Sequence, residues 1–429
     1  FMDMRDMTGK VQCVVLPNHA EAMEQVKDVR TEWVLKITGL VNKRPERNIK
    51  EGVLNGDIEL EITAIEVLNK SETTPFAINE DTGGINEDVR MKYKYLDLRT
   101  DRMQKNIRAR DKIVSFFRSH MHAHDFIEIE TPIMTKGTPE GSREYLVPSR
   151  LEPGNFYVLP QSPQQFKQLA MVAGFEKYFQ IAKCMRDEDT RGDRQPEFTQ
   201  LDYEVSFTSQ EEIISYTEEM FIKLVETLYP EKKIQEIPFP RLTYAESMEK
   251  YGNDKPDLRE DKNNPNLLAF CWIVDFPMFE KNKDGEIGAV HHPFTSVKEE
   301  DSHLLETDPL SARANAYDIV LNGYELGGGS IRIHDREMQN KIFKILGLDQ
   351  ATIDARFGHM LTAFEYGAPP HGGCAEGIDR IVMLLENEPN IREVIAFPKT
   401  GEGKDLMMGA PSEASQAQLR ELGLGILKK

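Results

Sequence analysis

The sequence has few cysteines and no long apolar run. Its four cysteines (Cys13, Cys184, Cys271 and Cys374) are isolated, and no CxxC pair occurs in the 429 residues. This spacing excludes a disulfide framework and the usual zinc sites, and it fits a reducing compartment. No stretch is long and apolar enough to span a membrane, and no secretory signal is visible. We therefore predict a cytoplasmic protein without a membrane partner.

Two common nucleotide-binding signatures are also missing. The chain has neither a Walker A loop nor a Rossmann glycine pattern, so a nucleotide site would need another architecture. The net charge of −19 disfavours broad, nonspecific nucleic-acid binding, although a local basic patch can still contact RNA. A chain of 429 residues exceeds the size of one hydrophobic core, which predicts two or three domains.

The first part of the chain is patterned as a small β domain. Residues 9–16, 34–41 and 57–68 resemble strands, and residues 19–33 have a composition compatible with a helix. In the third strand Ile58, Leu60 and Ile62 alternate with polar residues. Several strands with one short helix favour an OB-fold, which commonly binds single-stranded nucleic acid. We place this domain at residues 1–70, a polar hinge at 71–92 and a larger domain at 93–429.

Residues 179–205 are patterned as two strands joined by a charged loop. Apolar and polar residues alternate in both arms, which places them on opposite faces of a sheet. The polar face would present Arg186, Glu188, Gln200 and Asp202, with Arg191 and Arg194 on the loop. An ordinary solvated hairpin is the alternative that the pattern leaves open.

A second hairpin is predicted around Asn322-Gly323, a strong two-residue turn. It would pair Leu321 with Tyr324 and Val320 with Glu325. Asp318 would then lie on the same face as Glu325, within about 8 Å. Two carboxylates this close favour a cation between them, and Mg²⁺ that also binds phosphate is a suitable one. Two ordinary surface acids are the alternative.

Two arginines follow in chain order. Arg332 stands two residues beyond Ser330 in the same predicted strand, and its planar guanidinium can bind a carboxylate through two parallel hydrogen bonds. Residues 372–385 combine small residues with an apolar helix that has Arg380 in its first turn. A helix start and an arginine both favour phosphate.

Together these stretches resemble class II aminoacyl-tRNA synthetases of the bacterial aspartyl type. Residues 179–205, FQIAKCMRDEDTRGDRQPEFTQLDYEV, resemble motif 2, and residues 372–385, GGCAEGIDRIVMLL, resemble motif 3. Residues 106–124 have the helical spacing of an amphipathic helix with an apolar stripe, and an alternating strand at 126–131 follows and ends at Pro132. This helix, strand and proline (about 107–133) resemble motif 1, which builds a dimer interface in that family. FMDMRDMTGKVQCVV resembles the anticodon-binding barrel. The three motifs occur in order, behind the barrel.

The resemblance implies a fold and an activity. It implies an α/β (α+β) protein with an OB barrel and a catalytic domain whose mainly antiparallel sheet is flanked by helices. The expected reaction activates L-aspartate with ATP and Mg²⁺, without a covalent enzyme intermediate. The aspartyl group would then pass to tRNA(Asp), with tRNA(Asn) left open as a second substrate. A homodimer is expected.

The resemblance also assigns site residues. The catalytic group is Arg186, Glu325 and Arg380. The aspartate group is Glu140, Ser162, Gln164, Lys167, Arg186, Asp202, His291 and Arg332, with His292 of lower weight. The ATP group is Arg186, Asp187, Glu188, Gln195, Phe198, Glu325, Gly377, Ile378, Asp379 and Arg380. Asp318 and Glu325 would hold the metal, and Phe1 and Gln12 would contact the anticodon.

The chain departs from the family pattern at three places. A sizeable extra domain is missing near residues 258–267, Cys374 and Glu376 are uncommon at their motif 3 positions, and Phe1 predicts a missing N-terminus. Four other functions remain open at this stage. They are an asparaginyl synthetase, a lysyl synthetase, an aspartate-to-asparagine ligase and a catalytically inactive tRNA-binding relative.

Overall fold

The computed structural model describes residues 1–137, 142–190, 192–282 and 285–427. The chain forms two compact units, Phe1–Thr82 and Gly83–Lys429. The boundary between them falls inside the segment 71–92 that the sequence predicts to be a hinge. The C-terminal part of that segment forms helix α2 (Glu87–Lys92), whose Arg90 pairs with Glu393 in the second unit.

The first unit is a four-stranded sheet with one short helix. Its elements are β1 (Met2–Asp6), β2 (Gly9–Val14), α1 (Ala20–Gln25), β3 (Val34–Lys43) and β4 (Ile58–Asn69). The strand order is β1-β2-β4-β3, with β2 and β4 parallel and the other neighbours antiparallel. Helix α1 is shorter than predicted, and Glu32, with φ of 66°, cannot continue a right-handed helix.

The core of this unit shows where the predicted alternation holds and where it fails. Ile62 is fully buried as predicted, but the next buried residue of β4 is Ile65. Thr38 pairs with Ala64 and Gly39 with Ile62, so β4 carries one extra residue between them. Such a β-bulge shifts the side chains that follow to the opposite face.

The second unit contains eleven helices and fourteen strands among its described residues. The helices are α2 (Glu87–Lys92), α3 (Lys94–Asp97), α4 (Asp101–Ala123), α5 (Gln164–Val172), α6 (Gln210–Leu228), α7 (Tyr244–Tyr251), α8 (Leu304–Thr307), α9 (Arg336–Ile345), α10 (Gln350–Phe364), α11 (Ile378–Leu385) and α12 (Gln416–Glu421). The strands are β5 (Ile127–Glu128), β6 (Leu146–Pro148), β7 (Phe156–Val158), β8 (Lys177–Met185), β9 (Glu197–Ser206), β10 (Lys233–Ile234), β11 (Arg241–Thr243), β12 (Leu267–Leu268), β13 (Phe270–Val274), β14 (Phe279–Lys281), β15 (Ile287–Ala289), β16 (Ala316–Leu321), β17 (Tyr324–Ile331) and β18 (His371–Gly377).

An eight-stranded sheet organises the second unit. Its order is β11-β13-β16-β17-β18-β9-β8-β5, antiparallel at the centre and parallel only at the two edge pairs. Helices α4, α6 and α11 pack on one face, where Phe117, Phe221 and Ile381 meet Tyr203 and Trp272 of the sheet. The predicted α/β architecture with a mainly antiparallel sheet is confirmed.

Helix α4 carries the apolar stripe predicted from helical spacing. Ile113, Phe117 and Met121 are fully buried. The helix begins five residues earlier than predicted because Thr100 caps it, accepting a hydrogen bond from the Met103 amide. The strand predicted at 126–131 is reduced to Ile127–Glu128. Over the part of the chain that the structure describes, no helix has the length and apolar character needed to cross a membrane.

Candidate active site

Strands β8 and β9 form the hairpin that the sequence predicts. Phe179 pairs with Tyr203 and Ile181 with Leu201, and this face packs into the core. On the opposite face Asp202 pairs with Gln180 and points away from the core. Strand β8 ends at Met185, so the charged residues that follow project from the end of the hairpin.

Arg186 is the first residue beyond β8. Its guanidinium lies 5.0 Å from the centroid of the Phe198 ring, which fixes its direction through a cation–π contact. Its backbone amide donates to Pro196 O at 2.8 Å. The buried Nε of Arg186 has no hydrogen-bond partner among the described residues. A buried guanidinium with a free donor is suited to bind an anionic group.

The β16–β17 turn closes as predicted, with Leu321 opposite Tyr324 and Val320 opposite Glu325. Burial and the charge of Asp318 raise the pKa of Glu325. This mutual repulsion is what a cation between the two acids would relieve.

Asp318 has a second polar neighbour, because His291 Nε2 lies 3.2 Å from its Oδ1. Burial would lower the pKa of His291, but the charge of Asp318 outweighs it and the pKa is raised. The Asp318 carboxylate therefore stabilises the charged form of the His291 imidazole.

Arg332 is fixed on several sides. Its Nε and Nη2 donate to the two oxygens of Glu204 at 2.9 and 3.2 Å, and its Nη1 donates to His292 Nε2 at 2.8 Å and to Ser330 Oγ at 2.6 Å. The sequence predicts that Arg332 can bind a ligand carboxylate through two parallel hydrogen bonds. In the structure Arg332 makes two such bonds to Glu204. Burial favours a neutral Glu204, but Arg332 and Lys167 hold its pKa at about 2.

Lys167 completes this buried charge cluster. Its ammonium lies 2.9 Å from Asp202 and 3.3 Å from Glu204, and all three side chains are at most 2% exposed. Burial raises the pKa of Asp202 although Lys167 opposes it. Burial and the nearby Arg332 lower the pKa of His292 well below its usual value, so His292 is neutral and accepts from Arg332.

Strand β18 and helix α11 supply the third side of the site. Gly377 precedes the helix, and Arg380 lies in its first turn as predicted. Arg380 donates to the backbone oxygen of Glu325 at 2.7 Å and to Asp193 Oδ2 at 3.2 Å. The side-chain amide of Gln195 donates to the backbone oxygen of Lys399 and accepts from the backbone N–H of Lys399. These two bonds orient the β8–β9 loop.

Most of these residues line one cavity of about 520 Å³. From the predicted set it contains Ser162, Gln164, Lys167, Arg186, Glu188, Gln195, Phe198, Asp202, His291, Asp318, Glu325, Arg332, Gly377, Asp379 and Arg380. Two predicted ATP residues lie outside its lining. Asp187 has a half-exposed side chain near Arg143, and Ile378 is fully buried in the core. Glu140 and Arg191 lie outside the described residues.

The structure adds three residues that the sequence analysis did not assign. Glu204 fixes Arg332, Asp193 fixes Arg380, and Asp254 lines the cavity from a distant loop. Glu204 lies two residues after Asp202 in β9, on the same polar face. The alternation of polar and apolar residues therefore predicts that its side chain points to the site side of the sheet. The pairing of Asp193 with Arg380 and the position of Asp254 at the cavity depend on contacts between segments far apart in sequence, which no local pattern encodes.

The two acids proposed as metal ligands also line this cavity. Among the residues with described positions, no cluster of three or more His, Cys, Asp or Glu could hold a metal ion. A cation at Asp318 and Glu325 would therefore need further ligands from the substrate. This donor set fits Mg²⁺, which prefers one or two carboxylates together with phosphate oxygens.

The two predicted anticodon residues belong to the start of the first unit: Gln12 lies in β2, and Phe1 directly precedes β1. Met2 pairs with Cys13 and Met4 with Val11 on the core face. Gln12 pairs with Asp3 and therefore lies on the opposite face. Phe1, just before β1, is 91% exposed, which argues against a core role for its ring.

Comparison with known families matches both units. The family described as tRNA synthetases class II (D, K and N) matches residues 86–401. The OB-fold nucleic acid binding domain matches residues 1–68. The first unit is therefore an OB-fold.

Full-length relatives extend these matches. The chain is 42% identical to the aspartate–tRNA(Asp/Asn) ligase of Rubrobacter xylanophilus and 40% identical to the aspartate–tRNA ligase of Staphylococcus epidermidis. The matches cover 99% of this chain, and 91% and 94% of the relatives. The first alignment spans 550 residues, so that relative has at least 121 residues without a counterpart here.

Solved structures show the same fold. The asparaginyl-tRNA synthetase of Entamoeba histolytica with asparaginyl-adenylate superposes with a TM-score of 0.75 at 22% identity, over 93% of this chain and 91% of that one. The aspartyl-tRNA synthetase of Entamoeba histolytica gives 0.70 at 25% identity, over 92% and 84%. Because the family model matches residues 86–401 and full-length relatives are 40–42% identical, the chain belongs to the class II tRNA synthetases of the D, K and N group.

Proposed function

We propose that this protein is an ATP-dependent aspartate–tRNA ligase. It activates L-aspartate to aspartyl-adenylate and transfers the aspartyl group to the terminal adenosine of tRNA(Asp). The relatives named for this activity share about two fifths of its residues over nearly the whole chain. Because one of them is named for both tRNA(Asp) and tRNA(Asn), charging of tRNA(Asn) remains a second proposed activity.

The proposal that aspartate is the substrate amino acid rests on one observation, the buried pair of cations at the cavity. Arg332 and Lys167 both line it and are each 2% exposed. The carboxylate of an aspartate side chain can bind to this pair, whereas the amide of asparagine brings no negative charge. Sites built on buried polar partners can discriminate by roughly 10⁴-fold. An acidic substrate therefore fits this pocket better than asparagine or lysine.

The ATP side of the proposed reaction uses the other cations. Arg186, with its free Nε, would bind the α-phosphate and the aspartate carboxylate, and Arg380 would bind the terminal phosphate. Asp318 and Glu325 would hold Mg²⁺, which when bound supplies positive charge next to the phosphates. The aspartate carboxylate attacks the α-phosphorus itself, the bond from this phosphorus to the oxygen that bridges to the β-phosphate breaks, and pyrophosphate leaves. The reaction therefore needs no covalent enzyme intermediate. Catalysis then rests on positioning and electrostatics.

Motif 1 supports a proposed homodimer. Ile127, Ile133 and Met134 are about half exposed, and Pro132 beside them is also exposed. An apolar strip of this kind is typical of a surface that a partner covers. Sedimentation of a fully active monomer at micromolar concentration would contradict this proposal. We also propose a cytoplasmic location, where the tRNA substrate is found.

The test of the proposed function is aspartate-dependent exchange of pyrophosphate into ATP, compared with asparagine and lysine. Aspartate should drive the exchange, and tRNA(Asp) should then be charged. Exchange driven by asparagine or lysine would identify one of the related synthetases. Aspartate-driven exchange without tRNA charging would identify an asparagine-forming ligase, and no exchange with any amino acid an inactive relative.

The variant Arg332→Leu tests the residue that selects the substrate. We expect kcat/KM for aspartate to fall on the order of 10³-fold while the Kd for ATP changes little, because a charge-assisted contact is lost. Since this change leaves the buried Glu204 with Lys167 as its one cationic partner among the contacts described above, the double variant Arg332→Leu with Glu204→Gln serves as the folding control. Near-normal exchange in a folded variant would remove Arg332 from the aspartate pocket.

A further inference from the structure

A line of buried hydrogen bonds leads from the backbone to the aspartate side of the cavity. It begins at the carbonyl oxygen of Pro369 and passes through the ring of His371, the first residue of β18. It continues through Gln168 and ends at Gln164, both in α5, and Gln164 lines the cavity. The three side chains are at most 5% exposed. Buried groups of this kind need each donor to face an acceptor.

The Pro369 carbonyl determines which ring nitrogen of His371 carries the proton. A carbonyl oxygen only accepts, so His371 Nδ1, which lies 2.8 Å from it, is protonated and donates. Burial lowers the pKa of His371, and the ring is therefore neutral near neutral pH. A neutral imidazole carries one ring proton, so Nε2 of His371 is an acceptor.

This acceptor orients two side-chain amides in turn. Gln168 Nε2 donates to His371 Nε2 at 3.1 Å, and the Gln168 oxygen therefore faces the other way. That oxygen accepts from Gln164 Nε2, again at 3.1 Å. Turning either amide over would place two donors or two acceptors face to face. Gln164 is thus left with its Oε1 for the cavity, and in the part of the chain with described positions no group donates to this oxygen.

Asp202 supplies a second acceptor in the same cavity. Its Oδ2 accepts from Lys167 at 2.9 Å, whereas its buried Oδ1 has no hydrogen-bond partner among the described residues. Gln164 and Lys167 are three residues apart in α5 and share one face of the helix, so Gln164 lies near the carboxylate that Lys167 binds. An ammonium group donates three hydrogen bonds and accepts none, which suits two such acceptors.

We propose that Gln168 and His371 are positioning residues that hold the Gln164 amide with its oxygen toward the α-ammonium group of the amino acid. The inference rests on the proposed function and concerns the amino end of the substrate, whereas Arg332 and Lys167 are proposed to bind its side chain. Neither Gln168 nor His371 is among the residues that line the cavity. Without them the Gln164 amide is free to turn its NH2 group toward the ammonium, and two donors repel each other.

Pyrophosphate exchange by the full chain tests this role, with aspartate as the varied substrate and succinate as a competitive inhibitor. Succinate is aspartate without the α-ammonium group. Gln168→Met keeps the length of the side chain but no longer orients Gln164, so the KM for aspartate should rise about tenfold, the effect of one hydrogen bond to a charged group. The kcat should change little, because this contact is made equally in the ground state and the transition state. The Ki of succinate and the KM for ATP should stay at parental values.

Two further variants test the direction of the line. Gln168→Glu still presents an oxygen to Gln164, while His371 can take up a proton and donate to the new carboxylate, so the parental KM for aspartate should be kept. His371→Leu removes the acceptor at the start of the line and should give the same KM increase as Gln168→Met. Gln165→Met is the matched control, because Gln165 is an equally buried glutamine of α5 whose amide has no hydrogen-bond partner among the described residues. It should keep all parental constants.

An unchanged KM for aspartate in Gln168→Met and His371→Leu would overturn the proposal. Equal weakening of aspartate and succinate would also overturn it and show that the line is structural, as would a Gln168→Glu variant that is as impaired as Gln168→Met. Exchange driven by asparagine in place of aspartate would refute the proposed function alone. Asparagine and succinamate, its counterpart without the ammonium group, would then replace aspartate and succinate and still decide the role of Gln168.

Discussion

Glu376 lies on the face of β18 that is turned away from the cavity. It pairs with Leu201 of β9 on the side of the sheet that the helices cover, and it is fully buried. The thiol of Cys374 is its near polar neighbour. Burial raises the pKa of Glu376 from 4.5 to about 8. The two residues that depart from the usual motif 3 pattern thus lie side by side in the core, outside the proposed chemistry.

This burial predicts a pH dependence of stability. Because the pKa of Glu376 is raised on folding, its contribution is fully present below about pH 4.5 and is lost as the pH rises through about 8. In Glu376→Gln this loss disappears. The unfolding free energy of the variant minus that of the parent should therefore increase between these values, by on the order of 1.4 kcal/mol per pH unit.

Denaturant unfolding of both proteins at pH 5, 6, 7 and 8 measures this difference. The neutral amide of the Glu376→Gln variant also lacks good hydrogen-bond partners, so the variant can be less stable than the parent at any one pH. The prediction is tested only by how the difference in unfolding free energy changes with pH. A difference that stays constant over this range would show that Glu376 does not titrate there.

The β16–β17 hairpin shows how much of a single element the sequence encodes. Asn322 and Gly323 have φ of 51° and 87°, which the two-residue turn requires, and the first two pairs follow as predicted. A bulge between Ile319 and Val320 then places Asp318 opposite Gly328. A Cβ at Gly328 would lie 2.0 Å from Asp318 Oδ1, so the glycine run makes room for this carboxylate. The turn was predictable, but the bulge and the reason for the glycines were not.

The same division holds at the substrate pocket. The alternation in residues 179–205 predicts which face of β9 is polar, because strand geometry is local. It does not predict that Glu204 takes both parallel hydrogen bonds of Arg332, since the two residues are 128 positions apart. Pairings between distant strands depend on sheet order, and the sequence patterns leave that order undetermined.

The hairpin geometry leads to a prediction for the metal ligands. Glu325→Gln should raise the magnesium concentration needed for half-maximal exchange about tenfold and should slow adenylate formation, because a full negative charge is lost next to the cation. Asp318→Asn should have a smaller effect, since His291 already engages Asp318 Oδ1. A magnesium titration of exchange measures both variants. Curves identical to that of the parent would contradict a shared metal at these two residues.

At the scale of the whole molecule, the two units have separable proposed tasks. The cavity lies within the second unit and contains every group proposed for adenylate formation. All of its described lining residues belong to that unit. Activation of aspartate should therefore be independent of the OB-fold surface, whereas the charging of tRNA should depend on it. Substitutions on the outer face of β2 can separate the two steps.

Gln12→Ala makes this test at one residue. Gln12 lies on the sheet face away from Cys13, and the exposed ring of Phe1 precedes the strand that pairs with it. Stacking of a base on Phe1 contributes roughly 1–3 kcal/mol with little sequence preference, so discrimination should depend on the Gln12 amide. The variant should charge tRNA(Asp) more slowly, with a reduced preference for the native central anticodon base, and should keep parental pyrophosphate exchange. Both activities are measured on the same preparation with transcripts of native and altered anticodon. Equal loss of exchange and charging would show a structural role for Gln12, and an unchanged preference between transcripts would place anticodon recognition elsewhere on the OB-fold.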